Sequence, residues 1–197
     1  MKTFFVSDTH FRHKNILKYE PCRLLELAKW YSKKIGQHYE LVLASFQQMM
    51  LEEKETELVD LMNEMLIEYW NETVGKNDFV WFLGDFVYGN KEIARDICSK
   101  LHGRKRLVRG NHDNWPDNFY REIGFEYVSK YPVLLKNRFI LSHAPLEKVS
   151  EPFINIYGHI HWENCKHIPT KTETSQCVCV ERQDFRPIRI KEFDKEN

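Results

Sequence analysis

Five short apolar runs in this chain each end in aspartate, asparagine or histidine side chains. These residue types bind metal ions or transfer protons, so their repeated placement indicates chemistry at one site. Short apolar runs predict buried strands, and open α/β sheets bind ligands at the carboxyl ends of their strands. The pattern therefore predicts a shared site at one edge of a sheet. The segments are residues 4–10, 79–85, 107–113, 139–143 and 154–161.

The donor atoms in these segments indicate a metal centre. Imidazole nitrogens, carboxylates and one amide oxygen suit divalent manganese, iron, nickel or zinc, and magnesium is also compatible. The set is too large for one tetrahedral ion but suits two ions that share a carboxylate, for which Asp85 is the natural bridge. Two carboxylates do not neutralise two divalent ions, so the remaining positive charge favours an anionic substrate. The candidate ligands are Asp8, His10, Asp85, Asn111, His143, His159 and His161.

The elements that must position these residues follow from apolar periodicity. Leu58, Met62, Met65 and Tyr69 keep helical spacing over three turns, and Gly36 predicts a break in the helical region before them. Strands are predicted over residues 2–7, 79–83, 105–109, 125–129, 131–136, 138–142, 153–157, 177–181 and 186–191. Helices are predicted over residues 13–19, 24–73, 91–101 and 116–123.

This order of elements gives an α/β front half and a β-rich back half. Two packed sheets with helices outside fit it better than one doubly wound sheet. No linker or repeat divides the sequence, so a single domain over residues 1–197 is predicted, with a helical insertion at about residues 20–73 after the first strand. Packing of this insertion on the core is the favoured interpretation, and a cap over the site or a partner surface is the alternative.

Composition narrows the class of protein. Lysine plus arginine and aspartate plus glutamate number 29 each, which argues against a nucleic-acid coat protein but not against an enzyme that acts on nucleotides. The five cysteines form no C-x-x-C pair and are interpreted as thiols of a reducing compartment. Neither a signal peptide nor a membrane span is recognisable, so a cytoplasmic protein is expected.

The motifs taken together closely resemble those of the calcineurin-like metallophosphoesterases, which run D-x-H, G-D, G-N-H-D/E, H and G-H-x-H in that order. Each motif alone is weak evidence, but all five in order, each after an apolar strand, are strong evidence. The start of the chain, Ser7 to Ile16, is most similar to small bacterial and phage members. The resemblance implies a four-layer αββα sandwich. The motifs stand here as Asp8-Thr9-His10, Gly84-Asp85, Gly110-Asn111-His112-Asp113, His143 and Gly158-His159-Ile160-His161.

The resemblance also implies roles for the motif residues. Two divalent ions are expected, with manganese favoured, and a hydroxide between them would attack phosphorus in line with the leaving oxygen. His112 would assist that oxygen as general acid or hydrogen-bond donor, and Asp113 would orient its imidazole. The first ion would be held by Asp8, His10, Asp85 and His161, and the second by Asp85, Asn111, His143 and His159.

Each of these residues taken alone also has a structural interpretation. His143 would be a hydrogen-bonded structural histidine, and Asp8 with His10 would form a capping turn. Five motifs in order would make these interpretations a repeated coincidence, so the metal interpretation is favoured. For Asp113 the structural interpretation stays open, because an aspartate after a turn can cap the helix that begins near residues 114–116.

Substrate contacts are expected from Asn111 and from Arg12 and His13, which follow the first motif. Relatives of this type usually carry glycine at the position of Arg12, whose guanidinium could bind phosphate at the pocket mouth. A solvated surface arginine is an equal alternative. Residues 104–106 with Arg109 form a basic cluster that could follow a nucleotide backbone, although exposed side chains before a strand explain it better.

The expected function is hydrolysis of phosphate esters, with phosphodiesters of nucleotide type favoured on the resemblance alone. A phosphomonoesterase or protein phosphatase, a nuclease, and a non-catalytic metal-bound scaffold are the alternatives. The expected partner is a small phosphorylated substrate, with nucleic acid less favoured and no membrane. An intact ligand set and His112 favour an enzyme over a scaffold.

Overall fold

The computed structural model describes residues 1–194 as a mixed α/β structure with two four-stranded sheets. The strands are β1 (Thr3–Val6), β2 (Phe79–Phe82), β3 (Arg104–Val108), β4 (Phe125–Ser129), β5 (Val133–Leu135), β6 (Phe139–Leu141), β7 (Ile154–Tyr157) and β8 (Ser175–Cys177). The helices are α1 (Ile16–Tyr19), α2 (Pro21–Ile35), α3 (Tyr39–Leu51), α4 (Glu55–Thr73), α5 (Lys91–Lys100), α6 (Asp117–Glu122) and α7 (Lys191–Asp194), with 3₁₀ turns at Glu163–Cys165 and Val180–Arg182.

The first sheet has the order β1-β2-β3-β4 and is parallel throughout. Parallel neighbours need a crossover between them, and α1 to α4, α5 and α6 occupy those connections. The carboxyl ends of all four strands consequently meet at one edge. Asp8, Asp85 and Asn111 each follow a strand end at that edge.

The second sheet has the order β5-β6-β7-β8, in which β5 and β6 form an antiparallel pair and the other pairs are parallel. His143 and His159 follow the ends of the adjacent strands β6 and β7. The chain after β8 joins the two sheets, because Ser7 N–H donates to the Val178 carbonyl at 3.0 Å and Val180 N–H donates to the Ser7 carbonyl at 3.3 Å. These bonds hold the two ligand-bearing edges together.

Two apolar clusters explain why the layers stack. Alternate residues of a strand point to opposite faces, so Phe5 and Trp81 pack between the sheets against Phe139 while Phe4 and Phe82 point to the helices. Buried residues of α2, α3 and α4 belong to the same cluster as Phe4 and Phe82; they are Leu27, Phe46, Leu58, Met62 and Met65. The predicted α/β arrangement of two sheets is confirmed. The helical segment packs on the core, which was the favoured interpretation.

The structure differs from the predicted elements in the helical region and near the carboxyl terminus. The region 24–73 is three helices, of which α2 ends at Gly36 in the left-handed conformation, φ 67°, as the predicted break requires. The predicted strand 177–181 ends at Cys177, because the following backbone pairs with Ser7 of the other sheet. The predicted strand 186–191 is reduced to one bridge at Ile188, since Pro187 offers no N–H to a ladder.

None of the helices between residues 1 and 194 combines the length and the apolar character that crossing a membrane requires.

Candidate metal centre

The backbone at the ligand-bearing edge is held in an uncommon conformation. Asp8, His10, Asp85 and His159 all have positive φ, at 58°, 46°, 59° and 69°. This left-handed region costs free energy for residues other than glycine and is concentrated at functional sites. Four candidate ligands adopt this conformation, which indicates that backbone strain at these positions is offset by the rest of the fold and orients their side chains toward the site.

One group of donor atoms surrounds Asp8. His10 Nε2 and His161 Nε2 lie 3.1 Å apart, and Asp8 Oδ1 lies 3.9 Å and 3.6 Å from these two nitrogens. Asp8 Oδ1 is buried and, within the described residues, has no hydrogen-bond partner. Burial, aided by the nearby Arg23, holds the pKa of His10 well below its ordinary value, so its imidazole is neutral. An unpartnered buried carboxylate oxygen facing imidazole nitrogens fits a divalent cation.

A second group surrounds His143. Its Nε2 lies 2.8 Å from Asn111 Oδ1 and 3.1 Å from His159 Nδ1. Its Nδ1 lies 2.8 Å from the Leu83 carbonyl, and since a carbonyl can only accept, Nδ1 carries the hydrogen. Nε2 is therefore the nitrogen with the lone pair, and it faces Asn111 Oδ1 and His159 Nδ1, the other two candidate metal-ligand atoms of this group. A metal ligand needs this orientation.

Asp85 lies between the two groups. Its Oδ2 is 3.5 Å from His10 Nε2 and 3.5 Å from His143 Nε2, and its Oδ1 accepts the His112 backbone N–H at 2.9 Å. Burial raises the pKa of Asp85, with the nearby Asp8 carboxylate adding to the rise and His143 opposing it. Two buried carboxylates side by side repel each other, and divalent cations would relieve that repulsion.

Two motif glycines allow the carboxylates to come this close to the neighbouring loops. A Cβ at Gly110 would collide with the Asp85 carboxylate, and a Cβ at Gly158 would collide with that of Asp8. Both glycines are therefore required for close packing of the loops rather than for flexibility.

His161 is oriented by Glu181, a residue that the sequence motifs do not include. Glu181 Oε1 accepts from His161 Nδ1 at 2.9 Å, which leaves Nε2 for the site. Burial lowers the pKa of His161, but the charge and hydrogen bond of Glu181 outweigh it and raise the pKa to about 9. Metal binding at this imidazole would consequently displace a proton.

Glu181 is in turn held by Arg23 of α2, and both side chains are fully buried. Arg23 donates through Nε to Glu181 Oε1 at 2.7 Å and through Nη2 to the same oxygen. It also donates to the backbone carbonyls of Asp8 at 2.6 Å and Thr9 at 2.8 Å. The predicted insertion therefore supplies a buried cation beneath the candidate centre.

Arg23→Met is expected to lower the free energy of unfolding of the metal-free protein by about 3–5 kcal/mol, because it breaks the buried ion pair with Glu181 and removes the donor to two backbone carbonyls. Urea unfolding measures this change. Arg12→Met is the matched control, because Arg12 pairs with the half-exposed Asp60 and a pair of that kind contributes about 0–1 kcal/mol. Equal losses in the two variants would contradict the role given to Arg23.

His112 stands at the rim of the centre. Its Nε2 lies 4.0 Å from Asp85 Oδ2, its side chain is 42% exposed, and its Nδ1 is hydrogen-bonded to the Tyr88 hydroxyl. The predicted bond from the imidazole to Asp113 is not found among the described residues. The Asp113 carboxylate instead accepts backbone N–H groups of Asp85, Phe86 and Gly110 at 2.8, 3.2 and 2.8 Å. The expected contact is corrected: Asp113 braces the loops that carry Asp85 and Gly110.

A cavity of about 500 Å³ opens beside His112. Its wall includes His13, whose ring stacks on Tyr88 with centroids 4.0 Å apart and planes at 13°. Burial, aided by Arg23, lowers the pKa of His13 to about 4. The cavity is lined by His10, His13, Ile16, Tyr19, Glu20, Tyr88, His112, His159, His161, Asn164 and Cys165.

Arg12 is not placed at the mouth of this cavity. Its guanidinium pairs with Asp60 of α4, and its backbone N–H donates to Asn63 Oδ1 at 3.0 Å. The expectation of a phosphate contact at the mouth is corrected, because the loop after β1 turns this side chain toward the helical layer.

Residues 104–106 of the basic cluster are separated from the centre, whereas Arg109 lies two residues before Asn111. Arg104 begins β3, whereas Asn111 follows its end, so roughly 13 Å of strand lies between them. Arg104 pairs with Glu126 at 2.6 Å, and Arg109 pairs with Asp117 at 2.9 Å. This arrangement favours the structural interpretation of the cluster.

Three residues of the site were missed in the sequence: Arg23, Glu181 and Tyr88. Glu181 had a signal, because residues 177–180 form an apolar run that ends in an acidic side chain like the runs of the other motifs. Arg23 and Tyr88 had none, since their contacts depend on the packing of α2 and of the loop after β2.

Comparison with known proteins gives the same family as the motifs. The uncharacterized protein MJ1445 of Methanocaldococcus jannaschii is 27% identical over 195 residues, which cover 96% of this chain and 87% of that protein. The Gene 66 protein of Mycobacterium phage D29 is 47% identical over 60 residues, 29% of this chain and 30% of its own.

Among solved structures, the protein of unknown function AQ665 from Aquifex aeolicus shares the fold, with a TM-score of 0.57 and 23% identity over 98% of this chain and 97% of its own. The family model described as calcineurin-like phosphoesterase matches residues 1–186, which is nearly the whole chain. The chain therefore belongs to the calcineurin-like phosphoesterase family.

Proposed function

We propose that this protein hydrolyses phosphodiesters of nucleotide type at two divalent ions, with His112 assisting the leaving group. The family supports hydrolysis of phosphoesters in general. The observation that carries the finer proposal is the position of Asp85 Oδ2, 3.5 Å from an imidazole nitrogen of each donor group, with His112 beside it.

The donor sets fit two ions. Manganese is favoured, and iron, nickel, zinc or magnesium are compatible with oxygen and nitrogen donors. When bound, such ions would supply positive charge that lowers the pKa of water and stabilises the phosphoryl oxygens. The first ion would be held by Asp8, His10, Asp85 and His161, and the second by Asp85, Asn111, His143 and His159.

His112 would protonate the leaving oxygen. Its Nε2 faces the space above Asp85 and can deliver a hydrogen to the leaving oxygen. Its backbone N–H is fixed on Asp85 Oδ1, so the imidazole starts from a defined position relative to the donor groups. Proton delivery of this kind contributes about 10²–10⁴-fold to the rate.

The cavity supports a diester over a monoester. None of the described residues that line it is lysine or arginine, and Glu20 adds an acidic side chain. A monoester dianion would need cationic partners beyond the metal ions, whereas a diester carries one negative charge. The volume of about 500 Å³ also leaves room for the second ester group.

The proposal is tested with protein stripped by a chelator and refilled with manganese. We expect metal to restore hydrolysis of bis-p-nitrophenyl phosphate and to restore hydrolysis of p-nitrophenyl phosphate less. Parallel loading with iron, nickel, zinc and magnesium ranks the metals. Two bound ions with no hydrolysis of either ester would favour the scaffold alternative, and a preference for the monoester would contradict the diesterase assignment.

A further inference from the structure

The Tyr88 side chain lies between the two loops that define the rim of the centre. Its hydroxyl is hydrogen-bonded to His112 Nδ1, and its ring centroid lies 5.0 Å from that of His112. On the other side, its ring stacks on His13 at 4.0 Å. Tyr88 thus links the loop after β2, to which it belongs, with the loop after β3, which carries His112.

We propose that Tyr88 is the positioning residue of His112: the hydrogen bond between its hydroxyl and Nδ1 fixes the orientation of the imidazole, so that Nε2 faces the leaving oxygen as its hydrogen donor. This inference rests on the proposed function. It assigns to Tyr88 the role that the motif pattern assigned to Asp113.

The role of this hydrogen bond does not depend on its direction. The phenol can donate to Nδ1, and Nδ1–H can equally donate to the phenol oxygen, because a tyrosine hydroxyl does both. In either case Nε2 is the ring nitrogen nearer the candidate metal centre, 4.0 Å from Asp85 Oδ2.

Tyr88 is itself fixed by contacts that are independent of His112. Its backbone N–H donates to the Phe11 carbonyl at 2.7 Å, and Phe11 N–H donates to the Phe86 carbonyl at 3.1 Å. These bonds pin the loop after β2 to the loop after β1. A stacked and pinned ring can hold a half-exposed imidazole in one orientation, which a mobile side chain would not do.

The predicted consequence depends on the leaving group. A phenolate leaving group needs more protonation than p-nitrophenolate, because it is the stronger base. Removal of the Tyr88 hydroxyl should therefore slow hydrolysis of diphenyl phosphate more than hydrolysis of bis-p-nitrophenyl phosphate. A merely structural role would slow both diesters equally.

The test compares manganese-loaded wild type and Tyr88→Phe on these two diesters. We expect kcat for diphenyl phosphate to fall by about 10-fold and kcat for bis-p-nitrophenyl phosphate by less than about 3-fold, which is less than the factor of about 10²–10⁴ for proton transfer as a whole because His112 itself remains. KM and the manganese content should not change. Tyr131→Phe is the matched control, since its side chain is 72% exposed, and both rates should equal those of wild type.

A double-mutant cycle tests the dependence on His112. In the His112→Asn background, Tyr88→Phe should cause no further loss on diphenyl phosphate. Equal loss on the two diesters, or a full additional loss in the double variant, would overturn the positioning role.

Nitrogen NMR of the histidines in zinc-loaded protein provides a readout other than activity. Wild type should show a hydrogen-bonded Nδ1 of His112, and Tyr88→Phe should lose the chemical shift that this hydrogen bond causes. An unchanged Nδ1 shift in the variant would overturn the inference while the proposed function stands. Fully loaded wild type that hydrolyses neither diester would overturn both.

Discussion

Replacement of His112 by asparagine is expected to lower phosphodiester turnover by about 10²–10⁴-fold and to leave the metal content unchanged. The imidazole Nε2 is the group at the rim that can protonate a leaving oxygen, and it lies 4.0 Å from Asp85. The metal ligands stay in place, because the bond from residue 112 to Asp85 Oδ1 is made by the backbone N–H. The 42% exposed side chain contributes little to stability.

This result is measured as kcat on bis-p-nitrophenyl phosphate at saturating manganese, with elemental analysis of the same samples. His38→Asn is the matched control, because His38 is exposed at the start of α3 and makes no side-chain capping bond. Normal turnover in His112→Asn would remove His112 from the reaction.

Replacement of Asp85 by asparagine is expected to weaken binding of both ions by at least about 100-fold, because groups that only support metal ligands already contribute 10–100-fold. Asp85 Oδ2 lies 3.5 Å from His10 Nε2 and 3.5 Å from His143 Nε2, so one substitution affects both donor groups. The metal-free variant should unfold at no lower temperature than wild type. Burial and the nearby Asp8 raise the pKa of Asp85, so its charge opposes folding at neutral pH.

Titration calorimetry with manganese and thermal unfolding of the metal-free protein measure the two effects. Asp96→Asn is the matched control, since Asp96 is exposed and pairs with Lys100 on the surface of α5. Retention of both ions at wild-type affinity would exclude Asp85 as the bridge. Loss of one ion only would assign Asp85 to a single donor group.

The fold class and the family could be predicted from the amino-acid sequence alone. Short apolar runs that end in ligand-type residues need no tertiary information, because strand periodicity and the position of ligands at strand ends are local properties. The strand 125–129 was predicted with its observed bounds, and strands 79–83 and 105–109 within one residue of theirs. The apolar face of α4 was also correctly predicted to lie in the core, since the helical spacing of apolar residues indicates which face of a helix is buried.

The groups that support those residues could not be predicted, because they come together only when distant segments pack. Arg23 reaches Glu181 across 158 positions of the chain, and Glu181 then orients His161. Nothing local distinguishes this arginine, because its contacts exist only once α2 packs on the first sheet. The short 3₁₀ turn that carries Glu181 likewise arises where the chain leaves β8 to pair with Ser7.

Packing of distant segments also explains why the imidazole of His112 is hydrogen-bonded to Tyr88 and not to Asp113, the predicted partner. Adjacency in sequence made Asp113 the natural partner, but backbone N–H groups of two loops surround its carboxylate in the folded chain. Tyr88 fills the place because the loops after β1 and β2 are hydrogen-bonded together. Ligand identity is thus local information carried by the strand ends, whereas ligand orientation depends on contacts between distant segments, which only the packed structure establishes.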